Sequence, residues 1–249
     1  MSAPALSVEG VSWHAGAVPI LTDVTLRVTP GEFVALIGPN GAGKTSLFNV
    51  VSGLCRPTAG RVLVGGVDVT GLAPHKRARL GLGRTFQTSA VFGSLSVNEN
   101  VGLAVQAGRG GSLRPWRRRS DRDIATTARD ILDRVSLSPR SETLAGELAH
   151  GEKRKLEIAL LLAAAPRMLL LDEPMAGVSA ENVPALAEVI RGLTADGRGV
   201  LMVEHHMEVV LDLADRVAVL HHGALLGCDT PAAVMADATV QQAYLGEEL

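Results

Sequence analysis

The chain has 249 residues, 47% of them apolar and 20% charged, with a formal net charge of -2. That length and composition suit one large domain or a domain carrying an inserted subdomain, and exclude a disordered chain. The absence of a basic excess argues against a nucleic-acid partner. Aromatics are only 3%, so the core must come from Leu, Val, Ile and Ala. The two cysteines, Cys55 and Cys228, form no CxxC pair, which points to a reducing compartment; a Cys55–Cys228 bridge is the alternative. The N-terminus lacks the pattern of a signal peptide. The longest apolar run, Ile158 to Ala165, stops at Pro166 and Arg167, far short of the roughly 20 residues that span a bilayer.

In chain order, Phe33 to Ile37 is a short, wholly apolar run that ends in glycine, which predicts a strand buried on both faces. A glycine-rich turn follows, then a helix over Lys44 to Leu54. The turn, Gly38-Pro39-Asn40-Gly41-Ala42-Gly43-Lys44-Thr45, fits the GxxxxGK[ST] pattern between a strand and a helix. Glycines let successive N–H groups converge on phosphate oxygens, and the helix N-terminus adds positive potential. Lys44 is expected to reach the β- and γ-phosphates. Thr45 is expected to hold Mg²⁺, with Ser46 as a further phosphate ligand. The plain alternative is a glycine turn that caps a helix.

Between Val97 and Ala165 the pattern is mostly helical, interrupted by a Gly/Pro/Arg-rich stretch from Gly108 to Arg122. This middle reads as a helical insertion into an α/β core. Met168 to Leu171 then predicts a second buried strand, ending in Asp172 and Glu173. Asp172 is placed to hold Mg²⁺, directly or through water. Glu173 is placed to orient or deprotonate an attacking water. Acidic residues also end strands simply to reach solvent, which is the bland reading of this pair. Helices over Asn182 to Ala195 and Met207 to Leu213 alternate with strands over Val200 to Val203 and Arg216 to Leu220, which implies a mainly parallel sheet.

A phosphate-binding loop alone fits GTPases, kinases and many ATPases. Leu148-Ala149-His150-Gly151-Glu152, just before a helix, resembles the signature of the ABC transporter ATPases, usually LSGGQ. Gly83-Arg84-Thr85-Phe86-Gln87 resembles that family's Q-loop, and Val203-Glu204-His205-His206-Met207 its switch-histidine segment. The order of motifs over essentially the whole chain matches the family. The resemblance implies a P-loop NTPase (RecA-like) parallel-sheet core at about 1–87 and 165–249, an N-terminal antiparallel β subdomain, and a helical signature subdomain at about 88–164. It implies ATP and Mg²⁺ as ligands, with Gln87 and His205 joining Glu173 in catalysis and Gln87 joining Thr45 and Asp172 at the metal. Ala149, His150, Gly151 and Glu152 would face the nucleotide of a second ABC ATPase subunit, related or identical, packed head to tail. Two transmembrane permease subunits, and indirectly a solute-binding protein, complete the expected assembly. The chain would then sit peripherally on the cytoplasmic face of the cell membrane.

Arg84-Thr85-Phe86-Gln87, the Leu148 to Glu152 wording, Leu156-Glu157-Ile158-Ala159 and Ala243-Tyr244-Leu245-Gly246-Glu247 resemble the importer ATPases for branched-chain amino acids. Urea and short-amide importers share much of this wording. Non-transport ABC ATPases are a third reading, but repair members carry a long coiled coil and translation members two cassettes.

Three departures stand out. Ala149 replaces the usual signature serine. Ser179 takes the D-loop aspartate position. Ala15 falls where an adenine-stacking aromatic is expected, and Trp13, two residues away and on the same strand face, is the substitute; a core or surface role is its alternative. Arg114, Arg117, Arg118, Arg119 and Arg122 suit either a solvated loop or anionic lipid headgroups. Phe86, Phe92 and Leu95 suit either a cleft for a membrane subunit or ordinary packing. The pairs His205–His206 and His221–His222 lack neighbouring ligands spaced for a metal.

Overall fold

The structure is a computed structural model that describes residues 3–85, 91–108 and 121–245, without the side chains of 121, 244 and 245. The chain divides into two compact units: 1–84 with 167–173 and 193–249, and 85–166 with 174–192.

The first unit holds two sheets. Strands β1 (Leu6–Ala15), β2 (Val18–Val28), β4 (Ala59–Val64) and β5 (Val67–Asp68) form an antiparallel sheet in the order β2-β1-β4-β5. The second sheet has the order β10-β9-β3-β8-β7-β6. Its strands are β3 (Phe33–Ile37), β6 (Leu82–Arg84), β7 (Met168–Asp172), β8 (Gly199–Val203), β9 (Arg216–His221) and β10 (Ala224–Asp229). All neighbours in it are parallel except β9 and β10.

Strands β3, β7 and β8 are buried at every residue, because both faces of this sheet are covered. The side-chain period of two decides which cover each residue meets. Val34, Leu36, Ala218 and Leu220 join one core with Leu47, Phe48, Val50 and Val51 and the antiparallel sheet. Ala35, Ile37, Val217 and Val219 join another with Val210, Val234 and Val240. These last three come from helices α7 (Met207–Leu213), α8 (Pro231–Ala236) and α9 (Ala238–Leu245).

Helix α1 (Lys44–Ser52) begins at the glycine-rich turn and is two residues shorter than the sequence suggests. Gly53 adopts a left-handed conformation (φ 84°) and its N–H turns back to the Val50 carbonyl, which closes the last turn. Helix α2 (Pro74–Arg79) starts on proline.

The second unit contains α3 (Val97–Gly108), α4 (Asp121–Arg134), α5 (His150–Ala163) and α6 (Val183–Arg191). Ser96 and Glu99 form a reciprocal capping box at the start of α3: Ser96 N–H donates to Glu99 Oε2 (2.7 Å) and Glu99 N–H to Ser96 Oγ (3.1 Å). Helix α6 is shorter than its sequence pattern, ending at Arg191 before a single 3₁₀ turn, Gly192–Thr194. Among the described residues no helix is long and apolar enough to cross a membrane.

Candidate functional site

The register of the large sheet sets the site's geometry. Leu36 pairs with Val203 across β3 and β8, and Asp172 pairs with Val203 across β7 and β8. The carboxyl ends of three adjacent strands therefore finish at one level. Loops leaving such an edge of a parallel sheet are where ligands bind in open α/β folds.

The glycine-rich turn leaves β3 at this edge. Gly38 has φ 155°, and a Cβ there would stand 2.1 Å from the Leu220 carbonyl oxygen. Gly43, at φ 104°, caps α1 from the N-terminal side with its absent Cβ only 3.0 Å from Leu21 Cδ2. The first position is thus closed to any side chain, and the second is strained for one by its positive φ. From behind, the Gly223 N–H donates to the Ala42 carbonyl (3.0 Å). Asn40, Gly41 and Thr45 are exposed and Ser46 is half-buried, while Ala42 and Lys44 are buried.

Lys44 Nζ donates to the carbonyls of Gly38 (2.6 Å) and Pro39 (2.9 Å), so the ammonium lies inside the curl of the turn. Burial pulls its pKa below the ordinary lysine value, with the nearby Glu173 carboxylate opposing that shift. A cation held by two carbonyls inside a tight turn whose first glycine admits no Cβ fits a polyanion, and the residues present fit ATP. An exposed Thr45 hydroxyl and the Asp172 carboxylate are hard oxygen donors of the kind Mg²⁺ takes.

Asp172 ends β7, almost fully buried, and pairs with Arg84, whose Nη2 lies 3.0 Å from Oδ2. Arg84 Nη1 also donates to Asn49 Oδ1 and Ser52 Oγ, both at 2.8 Å, and its guanidinium stands over the Phe48 ring.

Glu173 is left-handed (φ 47°), a conformation rare for a non-glycine residue, and its N–H is held by the Val203 carbonyl at 2.9 Å. The strained backbone turns its side chain to His205, whose Nε2 lies 3.0 Å from Oε1. Glu204 is buried and organises the residues that follow. Its Oε2 accepts the N–H groups of His205 (2.9 Å) and His206 (3.2 Å), and also meets His206 Nδ1 at 2.9 Å.

Trp13 is half-buried and packs on the core beneath the antiparallel sheet; Ala15 is exposed.

In the second unit, the signature residues start α5. Ala149 and His150 are exposed, and Gly151 and Glu152 half-buried. Glu152 Oε2 accepts the Ala149 N–H (3.0 Å). This is half of a capping box, because alanine has no oxygen with which to return the bond. Glu152 Oε1 also takes Arg140 Nε at 2.9 Å. Burial works against ionisation here, but the Ala149 N–H and Arg140 together bring the carboxyl below its usual range. The His150 ring lies close to Gly177, where an added Cβ would come within 3.2 Å of Cε1. Ser179 Oγ accepts Asn182 Nδ2 (2.8 Å) at the head of a short 3₁₀ turn.

Within the first unit, then, the structure brings together the 38–46 loop, Asp172, Glu173 and His205. Gln87 and Phe86 lie outside the described residues, as do Arg114, Arg117, Arg118, Arg119, Gly246 and Glu247. Phe92 is exposed and Leu95 half-buried. The contacts of Arg84 and Glu204 were not foreseen from the sequence. Their only signal was adjacency to the Q-loop and switch-histidine phrases.

A GxxxxGK[ST] loop leaving an inner strand of a mainly parallel sheet, with an acidic strand end one strand further along, across β8, defines a P-loop nucleoside triphosphatase. The sequence model of the "ABC transporter" family matches residues 21–176. The chain belongs to that family and is an ATPase subunit of it.

The chain is 36% identical to the high-affinity branched-chain amino acid transport ATP-binding protein BraF of Pseudomonas aeruginosa, over 99% of this chain and 100% of that one. LivG of Escherichia coli, of the same description, matches with the same identity and coverage. The lipopolysaccharide export system ATP-binding protein LptB of Haemophilus influenzae is 35% identical over 98% of each chain. Among solved structures, the ADP conformation of MJ1267, an ATP-binding cassette of an ABC transporter, superposes with a TM-score of 0.84 at 28% identity, covering 98% of this chain and 99% of that one.

Proposed function

We propose that this ATPase powers an importer for branched-chain amino acids or similar small polar solutes. It works head to tail with a second ABC ATPase subunit, beneath two transmembrane permease subunits that a solute-binding protein serves, on the cytoplasmic face of the membrane. Backbone N–H groups of the 38–46 loop and the Lys44 ammonium hold the ATP phosphates. Thr45, Asp172 and Gln87 would hold Mg²⁺, which would neutralise phosphate charge when bound. Glu173 takes up the attacking water and accepts its proton, and His205 positions that carboxylate. In the Ala149 to Glu152 segment, the backbone N–H groups of His150, Gly151 and Glu152, at the N-terminus of α5, donate across the dimer to the partner's terminal phosphate. Loss of that phosphate removes the bridging charge and lets the dimer open. Trp13 offers its uncovered part to the adenine.

The observation that carries the catalytic reading is the 3.0 Å Glu173–His205 contact at the sheet edge that also carries the Lys44 loop. The importer reading rests on the full-length similarity to BraF and LivG and on the Arg84-Thr85-Phe86-Gln87 phrase. LptB matches about as well, so lipopolysaccharide export is the second reading. Uptake of labelled leucine by a strain lacking the gene separates them. We expect uptake to fall and to return with the wild-type gene but not with Lys44→Ala. Unchanged uptake of leucine, isoleucine and valine, with altered lipopolysaccharide at the cell surface, overturns the importer reading.

A further inference from the structure

Arg84 has a more specific place in this site than its neighbours suggest. It lies on β6, whose register pairs it with Leu170 of β7, two residues before Asp172 and so on the same strand face. Its side chain is 9% exposed and that of Asp172 3%. One guanidinium nitrogen meets Asp172 Oδ2 at 3.0 Å; the other is fixed by Asn49 and Ser52 on α1. Asn49 and Ser52 stand four and seven residues after Thr45, on the same face of the helix. The arginine is therefore clamped between the two elements that present the oxygen donors Thr45 and Asp172. A planar guanidinium can serve both sides at once, which a lysine cannot.

Two consequences follow from charge. A buried carboxylate deprived of a cationic partner is costly, so Arg84 lowers the energy of Asp172 when no metal is present. A fixed positive charge beside a metal ligand also repels an arriving divalent cation. Both effects favour the metal-free state over the metal-bound one.

We infer that Arg84 is a positioning residue that acts as an internal counter-ion for Asp172 and keeps the affinity of this site for Mg²⁺ low. The inference rests on the assignment of Asp172 to the metal under the proposed function. It makes the release of Mg²⁺ with spent nucleotide cheaper than an unguarded aspartate would.

The test is a thermal-shift titration of the full chain with Mg²⁺ at fixed, saturating ATP, alongside ATP in EDTA. Arg84→Met is expected to melt lower than wild type without metal. Its half-saturating Mg²⁺ should fall by about tenfold, and its stabilisation by Mg²⁺ should be larger. Arg84→Gln, which keeps hydrogen-bond donors without the charge, should shift the same way and decides the matter if Arg84→Met does not fold. Arg84→Lys should return the half-saturation point most of the way to wild type. A merely structural arginine would lower melting equally with and without Mg²⁺. That result, or weaker Mg²⁺ binding in Arg84→Gln, overturns the inference. If the wild-type protein responds to ATP in EDTA but gains nothing from Mg²⁺, the metal assignment itself falls instead.

Discussion

Arg77 offers a demanding test of how the phosphate-loop helix is held. Its side chain is only 1% exposed, on a helix of six residues. The guanidinium donates to backbone carbonyls at both ends of its reach: Val50 (2.8 Å) and Val51 (2.7 Å) at the C-terminus of α1, and Thr70 (2.9 Å) and Leu72 (2.9 Å) in the turn before α2. Burial holds its pKa below the usual arginine value, with Asp68 opposing. A positive charge at the C-terminus of α1 also meets the negative end of the helix dipole. Arg77→Met keeps the stem and removes the donors. All four carbonyls lose the guanidinium, but Val50 keeps the Gly53 N–H, so three go uncompensated. At about 1 kcal/mol for each, the loss is about 3 kcal/mol; relief from burying the guanidinium and loss of the charge–dipole term roughly cancel. Unfolding entropy of about 2.1 cal/mol/K per residue gives a melting shift of about 6 °C for a chain of this length. Calorimetry without nucleotide reads it directly, with Arg77→Lys, which reaches fewer carbonyls, falling between. A melting point for Arg77→Met within about 1 °C of wild type would refute the idea that this arginine anchors the helix.

Two further outcomes follow from the same geometry. Gly38→Ala places a methyl group 2.1 Å from the Leu220 carbonyl, so backbone must move by about 1 Å. We expect a loss of about 1–3 kcal/mol in stability and at least tenfold in ATP affinity, read by calorimetry and by titration with a fluorescent nucleotide. Glu32 is half-buried; against that burial, the Thr29 N–H (2.6 Å), Arg216 (2.9 Å) and the Thr29 hydroxyl together lower its pKa. Its contribution to stability is then present above the unfolded-state value, about 4.3, and disappears as pH falls through the lower folded-state value. Melting curves of Glu32→Gln should lie below wild type at pH 7 and converge with it in strong acid.

Much of this architecture was legible because the physics was local. Phe33 to Ile37 and Met168 to Leu171 are apolar at every residue, which only a doubly covered strand tolerates, and both proved to be such strands. The GxxxxGK[ST] spacing announced its own strand and helix. Other features were hidden because they depend on register between distant segments. Nothing in Gly83-Arg84-Thr85 discloses that Arg84 will face Asp172, 88 residues away, since that follows from β6 pairing with β7. Arg77 looks like a solvated helix residue until Thr70, Leu72 and α1 are seen around it. Glu204 precedes a histidine pair on a strand that ends one residue earlier, so its burial could not be read from the pattern. The partners of the Glu152 carboxylate, the Ala149 N–H and Arg140, likewise depend on how α5 meets the segment before it. The apolar pattern over Lys44 to Leu54 overruns the helix, which Gly53 stops through its left-handed backbone.

The most direct measurement is size-exclusion chromatography with light scattering on Glu173→Gln in MgATP, beside hydrolysis assays of wild type and variant. The variant should run as a dimer with ATP still bound, run as a monomer without ATP, and turn over nucleotide at a small fraction of the wild-type rate. A variant that hydrolyses ATP as fast as wild type would contradict the catalytic role of Glu173.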